Sequence, residues 1–442
     1  MPGPEGSAVQ INRMENRNYD VVIVGGGASG LAAAVELGMS SPDLSVLVIE
    51  KMNEPGRKIR ATGSGRCNIT NTKAAGYNRI MEFFTGIGLV TRTYENGLVY
   101  PYSESAADVA ELLIARAESL GVQLCCGEEV TAVRKRVDEE DVPRFEIESN
   151  YKDVKGEHRV ITEAAYVILS CGGKAGPTYG TTGDGYRLAR ELGHSVVTPV
   201  PVLTGIECEE WDDRAEPSAL ILAGTRTQAV ASLYKDNKNP VFKEAGEVQF
   251  TRYGLSGICV FNMTGHMRYD RNKGESLRDF SIRINLFPEG RFSDYIESVQ
   301  RGRFSDISVR DMLCTVLKEK LADYVTERFS SLLDEGTKET GPDGNGNKAV
   351  KDLSTNEIKT ICDIVHGLEF RPVKLRGWKD AQATAGGVSL EEIDEVTAES
   401  KIAPGLYITG ELADRDYPCG GFNLSNAWLT GLAAADDIAS KG

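Results

Sequence analysis

Only four of the 442 residues are histidine: His158, His194, His266 and His366. None pairs with a second ligand at metal-binding spacing, which excludes a zinc centre of the usual kinds. The nine cysteines include no C-x-x-C pair. That removes zinc ribbons and dithiol redox motifs, and it leads us to expect free thiols in a reducing cytoplasmic compartment. Cationic side chains are also short. Lys and Arg number 50 against 65 Asp and Glu, a formal charge of −15. Such a balance disfavours a broad phosphate-binding face and adhesion to anionic lipid. The expected partner is a small-molecule substrate, with no nucleic acid and no membrane. Long apolar runs are missing too. The stretch from Val21 to Leu37 is interrupted by glycines and Glu36, so it reads neither as a signal peptide nor as a span. Residues 1–18 are polar and read as a flexible leader. No fixed-period repeat occurs, and nothing in the sequence speaks to oligomeric state.

Glycine is plentiful instead, 47 residues in all, gathered at 25–30, 63–65, 172–185, 386–387 and 420–421. Clustered glycines mark tight turns or a close backbone approach to a ligand. The first cluster has a complete context. Asp20–Val24 is a short β-branched run suited to a buried parallel strand. Gly25-Gly-Gly-Ala28-Ser29-Gly30 follows at once, then the helix-forming Leu31–Leu37, then a second strand pattern ending at Glu50. Strand, glycine turn, helix, strand within about 30 residues is a dinucleotide-binding βαβ unit. Gly25 permits the turn, Gly27 clears space for a pyrophosphate, and Gly30 lets helix and strand pack closely. The helix N-terminus offers N–H groups to phosphate. Glu50 can accept from ribose hydroxyls, which favours FAD or NAD(H) over a 2′-phosphorylated nucleotide.

Further along, 104–120 reads as an amphipathic helix, 121–171 as several strands, and 184–194 as another helix. From 197 to 285 the pattern is strand-like, in TQAVASLY, EVQF, ICVFNMT and FSIRINL. Residues 286–366 are mainly helical, with a polar loop at 334–348. From 379 the α/β pattern of the first 196 residues returns: a glycine turn, a strand at 405–409, and a helix from about 425 to 440. The expected architecture is α/β. A Rossmann-like domain is made from both chain ends, 19–196 and 379–442. A β-rich insert (197–285 and 367–378) and a small helical insert (286–366) interrupt it.

Three segments carry a family resemblance. The first is Gly56-Arg57-Lys58-Ile-Arg-Ala-Thr-Gly63-Ser-Gly65-Arg66-Cys67-Asn68-Ile-Thr-Asn71. The second is Cys171-Gly172-Gly173-Lys174 with Thr182-Gly-Asp184-Gly185. The third is Gly405-Leu-Tyr-Ile-Thr-Gly410-Glu411 with Cys419-Gly-Gly421-Phe422-Asn423. Together with Phe250–Gly257 and Ala381–Val388 they resemble the HI0933-like FAD-dependent oxidoreductases over nearly the whole chain. That resemblance implies FAD held between the chain ends, with a β-barrel-like insert and a small helical insert. It implies Glu50 at the adenosine ribose and Arg57 and Lys58 near the phosphates or adenosine. Gly63, Gly65, Arg66, Cys67 and Asn68 would approach the flavin ring. Gly172, Gly173 and Asp184 would belong to the cofactor site. Gly410 and Glu411 would face the pyrophosphate or ribityl chain, and Gly421, Phe422 and Asn423 the pyrimidine end of the ring. A helix N-terminus there stabilises the negative charge of reduced flavin.

Members of the family point two ways. One type reduces C=C bonds conjugated to a 3-oxo group in bile-acid steroids, and the other is an aminoacetone oxidase. The reductase reading is favoured, with a non-catalytic flavin sensor as a rival from another class. No second G-x-G-x-x-G unit occurs. NAD(P)H, if it is the donor, must therefore bind transiently at the flavin face; otherwise the substrate supplies the electrons. Arg252 and Tyr253 lie in a glycine-flanked loop of the insert and are the candidate catalytic residues. The Tyr253 hydroxyl can donate a proton to a substrate carbon or only shape the pocket. Leu203, Leu255, Ile258, Val260 and Phe261 can line an apolar pocket or be ordinary core. Cys67 reads as a small buried residue more readily than as a redox thiol. His194 reads as a helix C-cap more readily than as a base. The Tyr417-Pro418-Cys419 segment departs from the family pattern where, by the resemblance, substrate meets the flavin, so this segment gives no support to copying a relative's substrate.

Overall fold

The computed structural model describes residues 14–137, 143–154, 156–235, 239–268, 275–334 and 348–441. The chain divides into two compact units, Met1–Pro201 with Gln382–Gly442, and Val202–Ala381.

The first unit is built on β1 (Met14–Val24), α1 (Ala28–Ser40) and β2 (Val46–Glu50). Val21, Val22 and Ile23 are fully buried, as a strand covered on both faces requires. α2 (Arg57–Ala61), β3 (Thr70–Asn71), α3 (Tyr77–Gly86), β4 (Thr91–Thr93), β5 (Leu98–Pro101) and α4 (Ala106–Ser119) follow. Ser105 caps α4 by accepting from the Asp108 N–H at 3.3 Å. β6 (Gln123–Cys126), β7 (Glu128–Val137), β8 (Pro143–Asp153) and β9 (Gly156–Leu169) complete the main sheet, and α5 (Asp184–Glu191) comes after it. The sheet order is β6-β2-β1-β9-β8-β7. β9 pairs antiparallel with β8 over its first half. Its second half runs parallel to Leu406–Ile408 from the far end of the chain. The C-terminal helix, Phe422–Lys441, packs on α1, where Gly431 meets Ser29: a Cβ at Gly431 would stand 2.2 Å from the Ser29 carbonyl oxygen.

Several expectations change here. Residues 1–13 of the leader lie outside the described residues, but 14–18 are strand, because they pair parallel with Arg159–Glu163 of β9. The last part of the stretch read as several strands is one continuous β9, since one chain serves both the antiparallel meander and the parallel core.

The second unit carries an antiparallel sheet. Its strand order is Leu368–Phe370, Phe280–Asn285, Thr225–Lys235, Pro240–Phe250, Leu255–Ser256, Ile206–Cys208, Pro372–Leu375. Among the described residues it does not close into a barrel, which corrects the barrel-like insert. The two edge strands are consecutive in sequence, separated by Arg371 alone, yet they do not pair. Pro372 has no N–H to give. The Arg371 N–H donates instead to the Glu210 carboxylate at 3.0 Å, and its carbonyl accepts from Glu209 N–H at 2.9 Å. Ile258–Thr264, read as strand, is helix. Gly257 precedes it with φ +108, where a Cβ would stand 2.3 Å from the Glu247 carbonyl oxygen, and this turns the chain out of the sheet. Sheet and helices share one core. Phe280 and Ile282 of the sheet and Phe292, Met312, Leu321 and Ile361 of the helical stretch all belong to it. Leu255 and Val260 also lie in this core, whereas Ile258 is exposed. The polar loop read at 334–348 lies almost entirely outside the described residues.

Candidate functional site

A cleft of about 1290 Å³, its open mouth included, runs through the first unit. Gly25, Gly27, Ala28, Ser29, Glu50, Arg57, Lys58, Gly172, Asp184, Gly410, Glu411 and Asn423 line it, so both chain ends contribute. The glycine turn sets its floor. Gly25 has φ +106, and a Cβ there would meet the Ser170 carbonyl at 2.6 Å. Gly30 is pressed against the Gly25 carbonyl and serves packing, as its place in the motif requires. Gly27 differs: a Cβ there would find only one atom within 4 Å, at 3.9 Å. Its missing side chain leaves room in the cleft rather than in the core.

Charge is arranged around that floor. Both Glu50 oxygens are fixed by backbone donors, Gly26 N–H and Met52 N–H, each at 2.8 Å. Lone pairs remain on both oxygens for hydroxyl donors. Lys51 bridges Asp184 and donates to Thr182 at 2.7 Å. Burial opposes ionisation of Asp184, but the hydrogen bonds from Lys51 and Thr182 outweigh it and hold the carboxyl below its usual range. Lys58 pairs with Glu411 at 2.6 Å and so ties the amino-terminal motif to the carboxy-terminal one. The other Glu411 oxygen, Oε1, is buried with no hydrogen-bond partner among the described residues. Arg57 makes no ion pair with another described residue. Burial pushes the Cys171 thiol up to about 12, and Asp184 and Glu50 add to this, so it is neutral.

The remaining candidates stand around the cleft rather than on it. Gly63, Ser64 and Gly65 take φ of +56, +57 and +84, a left-handed turn that Gly relieves at two of three places. Arg66 lies over the Tyr100 ring, 4.9 Å from its centre. Cys67 is fully buried, and burial pushes its thiol up to about 12. The Asn68 amide accepts from Gly421 N–H at 2.9 Å and donates to the Thr70 carbonyl at 3.0 Å. It thereby joins the first of the three motif segments to the last one. Gly173 is held against Thr384 and Glu411. Phe422 opens the C-terminal helix, and the Asn423 side chain donates to the Tyr417 carbonyl at 2.7 Å. His194 does not cap its helix with the imidazole. The ring bonds Glu392 at 3.0 Å and Ser400 at 2.9 Å.

Arg252 and Tyr253 belong to the second unit, whereas every residue lining the cleft belongs to the first. Arg252 is exposed. Tyr253 packs on Gly205 and lies under the Arg376 guanidinium, 4.7 Å from the ring centre. Residues that the sequence reading missed include Gly26, Lys51, Glu128, Arg415 and Asn426, all on the cleft. Lys51 directly follows Glu50, so its place at the strand end was within reach. Arg415 and Glu128 carry no local signal.

The donor set fits FAD. Gly27 leaves an opening at a helix N-terminus, Glu50 offers anchored acceptors, and the orphaned Glu411 oxygen lacks the hydroxyl donor that a polyol chain supplies. The model described as "HI0933-like protein Rossmann domain" matches residues 19–78 and 73–437, and the chain belongs to this family of flavoprotein oxidoreductases. It is 31% identical over 441 residues to a 3-dehydro-bile acid delta(4,6)-reductase of Clostridium scindens, covering 95% of this chain and 98% of that one. It is 24% identical over 439 residues to a ribosomal RNA dihydrouridine synthase of Haemophilus influenzae, with the same coverage of each chain. Among solved structures it is similar to 3-ketosteroid delta1-dehydrogenase from Sterolibacterium denitrificans. The TM-score is 0.49 and the identity 14%, with 96% of this chain and 100% of that one covered. Among the described residues no helix is long and apolar enough to cross a membrane.

Proposed function

We propose that the cleft holds FAD and that the protein reduces a C=C bond conjugated to a 3-oxo group in a bile-acid or steroid-like substrate, using NAD(P)H. The observation that carries this reading is the full-length likeness to the bile-acid reductase. Bound FAD would supply two-electron chemistry that side chains lack. Gly25, Gly27, Ala28 and Ser29 would hold the pyrophosphate, with Glu50 on the adenosine ribose and Arg57 balancing phosphate charge. Lys58 keeps Glu411 oriented so that its free oxygen can accept from the ribityl chain. Tyr253 carries a hydroxyl of the kind that protonates a carbon next to a ketone. The acidic balance supports a small-molecule substrate, and the free cysteines support a cytoplasmic setting.

A second reading rests on the Haemophilus relative. Uracil also presents a C=C bond conjugated to a carbonyl, so one chemistry serves both substrates. The test is an anaerobic absorbance titration with NADH and NADPH, followed by addition of an enone steroid, free uridine or ribosomal RNA. Bleaching by a nicotinamide and recovery with the enone support the main reading. Recovery with RNA alone replaces it with the second. Bleaching by an amine instead, with peroxide formed in air, makes the protein an oxidase. Absence of any flavin band after FAD addition overturns all three.

A further inference from the structure

We propose that the outer face of the β4–β5 hairpin is the docking site for the adenosine-phosphate end of the nicotinamide donor. This rests on the reading that NAD(P)H supplies the electrons.

The hairpin carries Arg92 among Tyr94, Tyr100 and Tyr102, in a chain that is otherwise strongly acidic. Arg92 lies opposite Tyr100 in the register, on one face. Its guanidinium stacks over the Tyr102 ring at 4.4 Å, while Arg66 stacks over Tyr100 at 4.9 Å. Tyr94 meets Tyr100 edge-on, with centroids 5.5 Å apart. Both arginine side chains are about half exposed, and Tyr102 is 60% exposed. A guanidinium beside a partly exposed aromatic ring can take a phosphate on the one and an adenine on the other.

One carboxylate, Glu104, serves both arginines. It stands 3.8 Å from each, too far for a tight pair, and it also accepts from the Tyr94 hydroxyl. Its backbone is held at φ +51, a conformation that L residues rarely adopt. Two cations share one carboxylate that contacts neither closely, which leaves positive charge for an incoming anion.

The hairpin is also tied to the cleft. β5 pairs with β3, and the Asn71 side chain of β3 donates to the Gly420 carbonyl at 3.2 Å. Gly420 lies three residues before the cleft-lining Asn423, and Leu98 of β5 lies alongside it. The hairpin is thus hydrogen-bonded, through β3, to the segment that leads into the cleft-lining Asn423.

The experiment uses the FAD-loaded full-length protein and the variants Arg92→Ala, Arg92→Lys and Tyr102→Ala. KM is measured for NADH and NADPH at fixed acceptor. Binding is measured by calorimetric titration of ADP-ribose and of adenosine 2′,5′-bisphosphate. Losing one charge-assisted phosphate contact should raise KM and weaken ADP-ribose binding about tenfold in Arg92→Ala. Arg92→Lys should recover part of that, and dithionite reduction, flavin content and kcat should hold. A bisphosphate that binds more tightly than ADP-ribose, matched by a lower KM for NADPH, assigns Arg92 to the 2′-phosphate. Unchanged KM and binding in Arg92→Ala and Tyr102→Ala overturn the site while leaving the donor reading intact. A wild-type flavin that neither nicotinamide reduces overturns both. Loss of ribosomal RNA affinity with unchanged nicotinamide KM overturns the proposal in favour of a nucleic-acid face.

Discussion

The turn at 25–30 and the turn at 420–423 are both glycine-rich, and Gly27 of the first serves the opposite purpose to Gly421 of the second. At the first, Gly27 faces open space. At the second, a Cβ on Gly421 would stand 2.8 Å from the Thr70 backbone carbon, so that turn is closed by packing. One glycine keeps a place for a ligand, and the other lets two segments of chain meet. Similar residue patterns therefore conceal different physical constraints, and substitution separates them.

The largest effect is expected where glycine serves contact between helices. Gly431→Val would drive a side chain into the Ser29 backbone. Overpacking of this kind costs about 3 kcal/mol or more where the obstacle is backbone. Urea unfolding should show that loss, and a wild-type midpoint would mean that the helix pair relaxes freely. Gly27→Val should do the reverse. Stability should stay within about 1 kcal/mol of wild type, because little protein lies in the way. The flavin-to-protein absorbance ratio should collapse. Retained flavin would show that the open position is not the pyrophosphate site.

A smaller effect is expected at Asn68→Ala, which leaves Gly421 N–H and the Thr70 carbonyl without their partner. The cost should be about 1–3 kcal/mol, with a matching rise in protease sensitivity around 417–423. An unaltered digestion pattern would show that this amide does not hold the closed turn. The smallest effect concerns acid. The Asp184 carboxyl titrates below its unfolded value, so the fold binds fewer protons than the unfolded chain as pH falls. Its contribution is present above about pH 4 and disappears as pH drops through the folded value. Asp184→Asn should flatten that part of the pH–stability curve. An unchanged acid limb would mean that the Lys51 contact is screened by solvent.

The same contrast explains what was legible. The first βαβ unit is local: strand, turn, helix and Glu50 lie within one short window, and the spacing gives each glycine its own use there. Gly25, Gly27 and Glu50 could therefore be placed on the cleft from the sequence. The order of the insert sheet could not, because its two edge strands, separated by Arg371 alone, pair with Ile206–Cys208 and Phe280–Asn285, which lie far off in the sequence. The helix at Ile258–Thr264 misled for a related reason. A seven-residue apolar run has no decisive period, and the decisive feature is the blocked Cβ at Gly257. Lys58 with Glu411, and Asn68 with Gly421, join the two ends of the chain, the first pair across 353 positions. No local pattern records such pairings.

The splitting of the first unit across the chain has a consequence for biosynthesis. Leu406–Ile408 must lie beside β9, and Gly431 must reach Ser29, before the cleft has both of its walls. Residues 202–381 leave the ribosome sooner and hold a complete core of their own. Nascent chains generally fold unit by unit in order of emergence. The interrupting unit is thus able to mature first, while the nucleotide-binding half waits, half-built, for Gln382–Gly442. A chaperone that shields the exposed edge of β9 would meet its client in that interval.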